Sequence, residues 1–237
     1  MCTVMRTRTA LALAAALLLP AAAWPDALWD KAVAIIRATV DWLPGSASFV
    51  LELVDPKGAA QESWRSQFRI TGRPDGTLAV EVISASHNKE DTTAKEQENQ
   101  RKRKQGPLPH WDNPFDPRVQ ASVSTTPKGL TELVQGRSCA LYDFTLAKED
   151  GTRIAGTAWI DAASGAPIQV LSSQTPLPRG VFSMTTTLRF GSGPAGEAFL
   201  REAFVEGVGG ILFIRRSFRS TVSVGDYWLP AAKPPSP

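Results

Sequence analysis

The chain has 237 residues, 43% of them hydrophobic and 21% charged, with 26 Lys and Arg against 23 Asp and Glu. These proportions fit one globular domain with a sizeable core and exclude a chain too polar to fold. The near balance of charge argues against a nucleic-acid partner.

The first residues read as an export signal. Arg6 and Arg8 stand without an acid, Ala10 to Leu19 contains only Ala and Leu, and Ala21-Ala22-Ala23 fits a small-x-small cleavage site. The apolar run is about half of the ~20 residues that a spanning helix needs, and no second long apolar stretch follows. Residues 1–23 are therefore expected to leave, giving a periplasmic or secreted chain without a transmembrane segment, starting near Trp24. Loss of Arg6 and Arg8 leaves 24 cations against 23 anions, a net charge of +1. Cys2 leaves too, so Cys139 is expected as a small buried hydrophobe, with no internal disulfide.

Pro25-Asp26 offers a helix start, and Leu28, Ala32, Ile35, Ile36, Val40 and Leu43 recur at three- and four-residue spacings. A helix is expected from Ala27 to Trp42, ended by Pro44-Gly45. Ser46 to Val54 follows as a strand. Glu62 to Thr71 alternates Trp64, Phe68 and Ile70 against Arg65, Gln67 and Arg69; Pro74-Asp75-Gly76 turns it into a partner strand from Thr77 to Ser86.

From His87 to Gly106 the composition becomes almost wholly polar, and Ala94 is the only apolar side chain. This charged insertion at 87–106 is expected to be solvated or partly disordered, because it has too little apolar surface to offset ordering. A second use for Arg101-Lys102-Arg103-Lys104 is contact with anionic headgroups or an acidic partner. The next stretch, Pro107 to Pro117, carries four prolines with Trp111 and Phe115, a loop anchored on the domain by its rings or rimming a cavity.

Val119 to Thr125 and Gly129 to Val134 are expected as a hairpin around Pro127-Lys128-Gly129. Gly136 to Gly191 then holds four strand-like runs, with turns at Asp150-Gly151, Ser164-Gly165 and Pro176 to Gly180. In the last run Phe182, Met184, Leu188 and Phe190 alternate with Ser183, Thr185, Thr187 and Arg189, an antiparallel strand with one dry face. A helical turn over Gly196 to Phe204 and one long strand from Gly209 to Val224 complete the expectation. The Pro-rich tail from Ala231 is expected to fray.

Catalytic chemistry has little to stand on. With two histidines, His87 and His110, and no serine in a G-x-S-x-G turn, a triad lacks its elements. A metal site from His110, Asp112 and Asp116 lacks a second histidine or a cysteine pair. Gly191 to Gly196 matches G-x-G-x-x-G, but an antiparallel meander is not a βαβ unit and Pro194 removes an amide from any phosphate cradle. No catalytic residue, metal or cofactor is expected, and the chain is read as a non-enzyme. An enzyme using His110, Asp112 or Asp116 is a minor alternative.

A signal segment, an amphipathic helix, a strand opening Ser46-Ala47-Ser48-Phe49, and a long antiparallel series containing Gly156-Thr-Ala-Trp-Ile-Asp-Ala-Ala-Ser-Gly-Ala-Pro167 together resemble the periplasmic lipoprotein-localisation-factor superfamily, LolA/LolB-like proteins and their relatives among sigma-factor regulators. The resemblance implies an incomplete antiparallel β-barrel, or a strongly curved sheet of about 9–11 strands, with the N-terminal helix on its concave face. It makes residues 24–237 one half-barrel domain with an apolar cavity. The function so implied is that of a monomeric, soluble, non-catalytic carrier or sensor of a lipid, an acylated protein or another apolar ligand. Phe49, Leu51, Trp64, Phe68, Ile70, Val80, Val82, Phe182 and Met184 are the expected lining. The same nine residues fit a filled core equally well, and the chain would then be a protein-interaction or regulatory module of the cell envelope with an envelope protein as partner.

Overall fold

The computed structural model describes residues 26–73, 77–102, 111–211 and 214–230. The expected signal segment, His110, and Arg103 and Lys104 lie outside these. Eleven strands form a single antiparallel sheet: β1 (Ser46–Val54), β2 (Ala60–Gly72), β3 (Leu78–His87), β4 (Glu90–Asp91), β5 (Val123–Val134), β6 (Arg137–Ala147), β7 (Arg153–Asp161), β8 (Pro167–Thr175), β9 (Val181–Ser192), β10 (Ala198–Ile211) and β11 (Ile214–Gly225). Their order across the sheet is β4-β3-β2-β1-β11-β10-β9-β8-β7-β6-β5. The first long strand pairs with the last, and the sheet stays open, with edges at β3/β4 and β5. Among the described residues two α-helices accompany it, α1 (Ala27–Arg37) and α2 (Thr93–Lys102).

Helix α1 forms because Asp26 caps it, its Oδ1 accepting the Leu28 amide at 3.0 Å, and because Trp29, Ala32, Val33 and Ile36 make one apolar stripe. It ends five residues before the expected Trp42. Thr39 is the reason: its hydroxyl donates both to the Ile36 carbonyl and, at 2.9 Å, to the Ala198 carbonyl of β10, pulling the chain from the helix axis onto the sheet.

Residues directly opposite in paired strands share a face. One such row crosses ten strands in the order Pro127, Tyr142, Ala158, Val170, Leu188, Ala203, Val222, Phe49, Ser66, Ala85. The α1 stripe packs on the part of this inner face made by β6 to β10, where Tyr142, Phe144, Ile160, Val170, Leu188 and Phe190 are buried with it. The loop before β5 closes the same core. Phe115 is fully buried, with its ring 4.6 Å from Trp29, while Gln120 accepts from the Trp29 indole and donates to the carbonyls of Pro114 and Asp116. Cys139 is buried and free on the opposite, outer face, beside Leu141, Trp159 and Ile168.

Four expectations are corrected. The stretch after His87 is solvated, with no buried residue in α2, but it carries regular structure through Lys102: β4 pairs with Ser86 and His87, and α2 lies along β3. Composition misled here because ordering rests on helix-forming residues, the Thr93 amide bonded to Asp91, pairs of Glu98 with Arg101 and Lys102, and bonds to a strand edge. Residues 123–134 are one strand, with Pro127 to Thr131 absorbed as a break in register. Gly196 to Phe204 is not helical, because β10 begins at Ala198. The long last strand is a hairpin, β10 and β11, paired from Glu202–Ser223 to Ile211–Ile214. Gly191 to Gly196 accordingly links two antiparallel strands, and the amide of Gly193 binds the Glu197 carbonyl.

Candidate functional site: the uncovered half of the inner face

Helix α1 and the 111–122 loop pack on the larger part of the inner face over β6 to β10. None of the nine expected lining residues belongs to the cluster beneath them. Seven of the nine lie beyond it, on the inner face of β1 to β3, and Met184 is on the same face of β9; the register gives their arrangement.

Phe49 and Leu51 are successive inner residues of β1. Leu51 stands opposite Trp64 on one side and Ser220 on the other; Phe49 stands between Ser66 and Val222. Trp64 is opposite His87, and the two rings stack at 4.9 Å and 9°. His87 Nε2 is buried without a hydrogen-bond partner among the described residues. Farther along β2, Phe68 pairs with Val82 and Ile70 with Val80. Ile70 and Val82 are fully buried, and the other six are partly exposed. The end of this half is strapped by a bridge between Leu43 and Trp228, whose ring lies against Gly72; a Cβ there would come within 2.9 Å of Cη2.

Met184 is opposite Gly207, which is opposite Phe218, which is opposite Leu53. Glycine is required at 207 because a Cβ would collide with the Ser183 carbonyl and come within 3.0 Å of the Phe218 ring. Phe182 parts from this group. A break in register between Val208 and Gly209 leaves it without an opposite residue, and it packs under the Arg215 guanidinium, 4.4 Å from the ring centroid. Arg215 alternates with Arg216, on the inner face, so Phe182 is on the outer face. It is 44% exposed.

Leu53, on the same side of β1 as Phe49 and Leu51, was left out of the expected lining, and sequence reasoning missed Val205, Phe218 and Val222, which complete the same surface. Their signal was the alternation of Phe218, Ser220, Val222 and Val224 with Ser217, Arg219, Thr221 and Ser223, hidden once β10 and β11 were read as helix and single strand. A pocket of about 220 Å³ joins this surface to the packed half; Trp111, Ile154, Ser172, Gln174, Met184, Thr186 and Val205 line it. Trp111 thus rims a cavity while Phe115 anchors the same loop. A larger hollow of about 500 Å³ at the ends of β1, β2 and β11 draws on both faces of the sheet, Ala47 and Phe68 as well as Ser48 and Arg69, and so is a groove around strand ends.

The surface is apolar with a polar end, where Arg216 meets Glu62 at 2.9 Å. Of the carboxylates considered for catalysis, Asp112 accepts from Lys148 and buried Asp116 is held by the Arg118 guanidinium, so both have structural partners. Among the described residues, no three His, Cys, Asp or Glu side chains converge to hold a metal. None of the described helices is long and apolar enough to cross a membrane.

An open antiparallel sheet laid against an N-terminal helix is the layout that the sequence resemblance implied. Similar solved structures include a LolA superfamily protein from Nitrosomonas europaea, at 11% identity over 87% of this chain and 93% of that one, with a TM-score of 0.40. A domain named for outer membrane lipoprotein sorting from Vibrio parahaemolyticus matches at 10% identity over 87% and 95%, with a TM-score of 0.38. A DUF1329 family protein from Desulfovibrio piger matches at 11% identity over 87% and 93%, also with a TM-score of 0.38. No family model matches the chain, and no curated protein matches it in sequence. These likenesses concern layout and transfer no ligand, partner or residue role.

Proposed function

We propose that the chain is a non-catalytic binding protein of the cell envelope, carrying or sensing an apolar ligand, a lipid or an acylated protein, on the uncovered half of its inner face. The observation that carries this reading is that α1 stops at the core over β6 to β10. It leaves Phe49, Leu51, Leu53, Trp64, Phe218 and Met184 partly exposed on one contiguous face. Soluble monomers rarely keep an apolar face of this kind without a use. Covering it would stabilise a complex by roughly 25 cal/mol per Å² removed from water, without requiring a charged contact.

Helix α1 does not lie over this face. It is a fixed plug of the other half, and the Trp111 loop is the nearer boundary. The lining in this reading is eight of the nine expected residues, together with Leu53, Val205, Phe218 and Val222. The test is native mass spectrometry of protein purified from the envelope, with titration of delipidated protein by a fluorescent fatty acid. A bound lipid mass, or saturable uptake that shifts tryptophan emission, is the expected result. No lipid and no uptake would overturn the carrier reading.

A second reading, an envelope interaction module with a packed core, is favoured by the packing of Trp29 against Phe115, Tyr142 and Phe144 under α1, where a guest would have to displace buried rings. In this reading the face of β1 to β3 meets a partner protein instead of a lipid.

A further inference from the structure

An open sheet has two edges, and this chain guards them by different means. Edge strand β5 carries its guards within itself. Pro127 has no amide to offer, Lys128 is charged, and the register breaks between Pro127 and Thr131, so no neighbour could run along it without interruption. Edge strand β3 has the sequence Leu78-Ala-Val-Glu-Val-Ile-Ser-Ala-Ser-His87, with no proline, no lysine and one acid. Beyond the short contact of β4 with Ser86 and His87, its outward backbone is covered by α2.

The manner of that cover is informative. The Ala85 amide donates to Thr93 Oγ1 at 2.9 Å, and the Ala85 carbonyl accepts from the Thr92 amide at 2.9 Å. The Val82 carbonyl accepts from the carboxamide of Gln97 at 3.0 Å. A primary amide donating to a strand carbonyl, and a hydroxyl accepting a strand amide, are the groups that a neighbouring strand would present at the same places. Helix α2 buries none of its own residues, and Ala94 is its only apolar one. It is therefore held to β3 by hydrogen bonds that water can replace, rather than by apolar contact. A guard of this type can leave without exposing a buried residue of its own.

We infer that the outward edge of β3 is a strand-accepting site held closed in cis by α2, and that its occupant when α2 departs is an extended segment of another polypeptide. That segment would run antiparallel to β3 and continue the ladder that β4 begins. Recognition rests on the backbone groups of Val82 and Ala85, with Ile83, 41% exposed beside them, as the side-chain contact. The inference is independent of what binds the inner face.

The test uses the full chain and the double variant T93V/Q97A, which removes the hydroxyl and the carboxamide that occupy the edge. Two measurements are made: hydrogen exchange of the Ala85 amide, and binding of a fluorescein-labelled peptide copying residues 63–72, the sequence that already pairs with the other edge of β3. Expected are at least tenfold faster exchange at Ala85 and at least tenfold tighter peptide binding by the variant, with exchange slowed again in the complex. Freed exchange with no gain in peptide binding would overturn the site. Unchanged exchange would overturn the role given to Thr93 and Gln97. A variant that instead dimerises, with Ala85 protected in the dimer, would assign the edge to a second copy of the chain and overturn the separate partner. The single variant Q97A keeps the Thr93 contact with the Ala85 amide and gives the same readings, smaller in size, should the double variant fail to fold.

Discussion

The phenolic oxygen of Tyr142 donates to Asp26 Oδ1 at 2.8 Å, and the same carboxylate oxygen caps α1 by accepting the Leu28 amide. The residue that starts the helix is thus tied to the middle of β6, 116 positions away. Helix and sheet cannot separate at this end without breaking a charge-assisted hydrogen bond in a buried setting. Replacement of Tyr142 by Phe is expected to cost about 2 kcal/mol, read as a lowered urea midpoint with Trp29 fluorescence as probe. Burial and then the Asp26 bond raise the Tyr142 pKa above its ordinary value. Because the folded value exceeds the unfolded one, this contribution is complete below about pH 10 and is lost as pH rises toward the folded value. The Y142F variant should therefore show a flatter alkaline limb of stability; an unchanged limb would remove Tyr142 from the account.

Gly156 makes a different demand. A Cβ there would collide with the Leu171 carbonyl of the adjacent strand, and backbone cannot swing aside as a side chain tip does. Substitution G156A is expected to destabilise by about 3 kcal/mol through forced separation of β7 and β8. Slow amides of β8 should exchange faster in this variant, while those of β1 to β3 keep their rates.

Much of this architecture was legible in the chain because alternation is local. The bounds of β1 match the expected ones, and Glu62 to Thr71 and Thr77 to Ser86 fall within a residue or two of β2 and β3. What failed depended on partners distant in sequence. Helix α1 ends early because Thr39 bonds to Ala198, and α2 is ordered by a strand edge that no local pattern announces. Phe182 left the inner face through one extra residue in β9, which reverses the parity of everything before it. The candidate site was half visible: Phe49, Leu51 and Trp64 follow from alternation, whereas Phe218 and Val222 join them only because β11 pairs with β1.

Asp161 ties the turn after β7. Its carboxylate is buried, which alone would push the pKa up, but the amides of Ala163 and Ser164 and then the Arg137 guanidinium hold it below the ordinary carboxylate value. With the folded value below the unfolded one, its stabilisation is present above about pH 4 and fades as pH falls through the folded value. The D161N variant keeps the oxygen that accepts the two amides and loses the charge. It should lose about 1 kcal/mol at pH 7 and show less further loss on acidification; equal acid sensitivity in both proteins would mean that other carboxylates set the acid limb.

Leu51 sits at the centre of the uncovered face, between Trp64 and Ser220, and is partly exposed, so an acid there can stay hydrated in the free protein. An apolar guest covering that row would have to bury the same charge without a partner, a penalty of several kcal/mol if dehydration were complete. Substitution L51D is therefore expected to weaken uptake of a fluorescent fatty acid at least tenfold and to abolish the shift of Trp64 emission on binding. Its thermal midpoint should move by only a few degrees. Leu133 is 77% exposed on β5, at the far edge of the sheet, and L133D is the matched control, expected to bind as the unmodified chain does. Equal loss in both variants would trace the effect to net charge, and equal retention would place the guest elsewhere than on the face of β1 and β2.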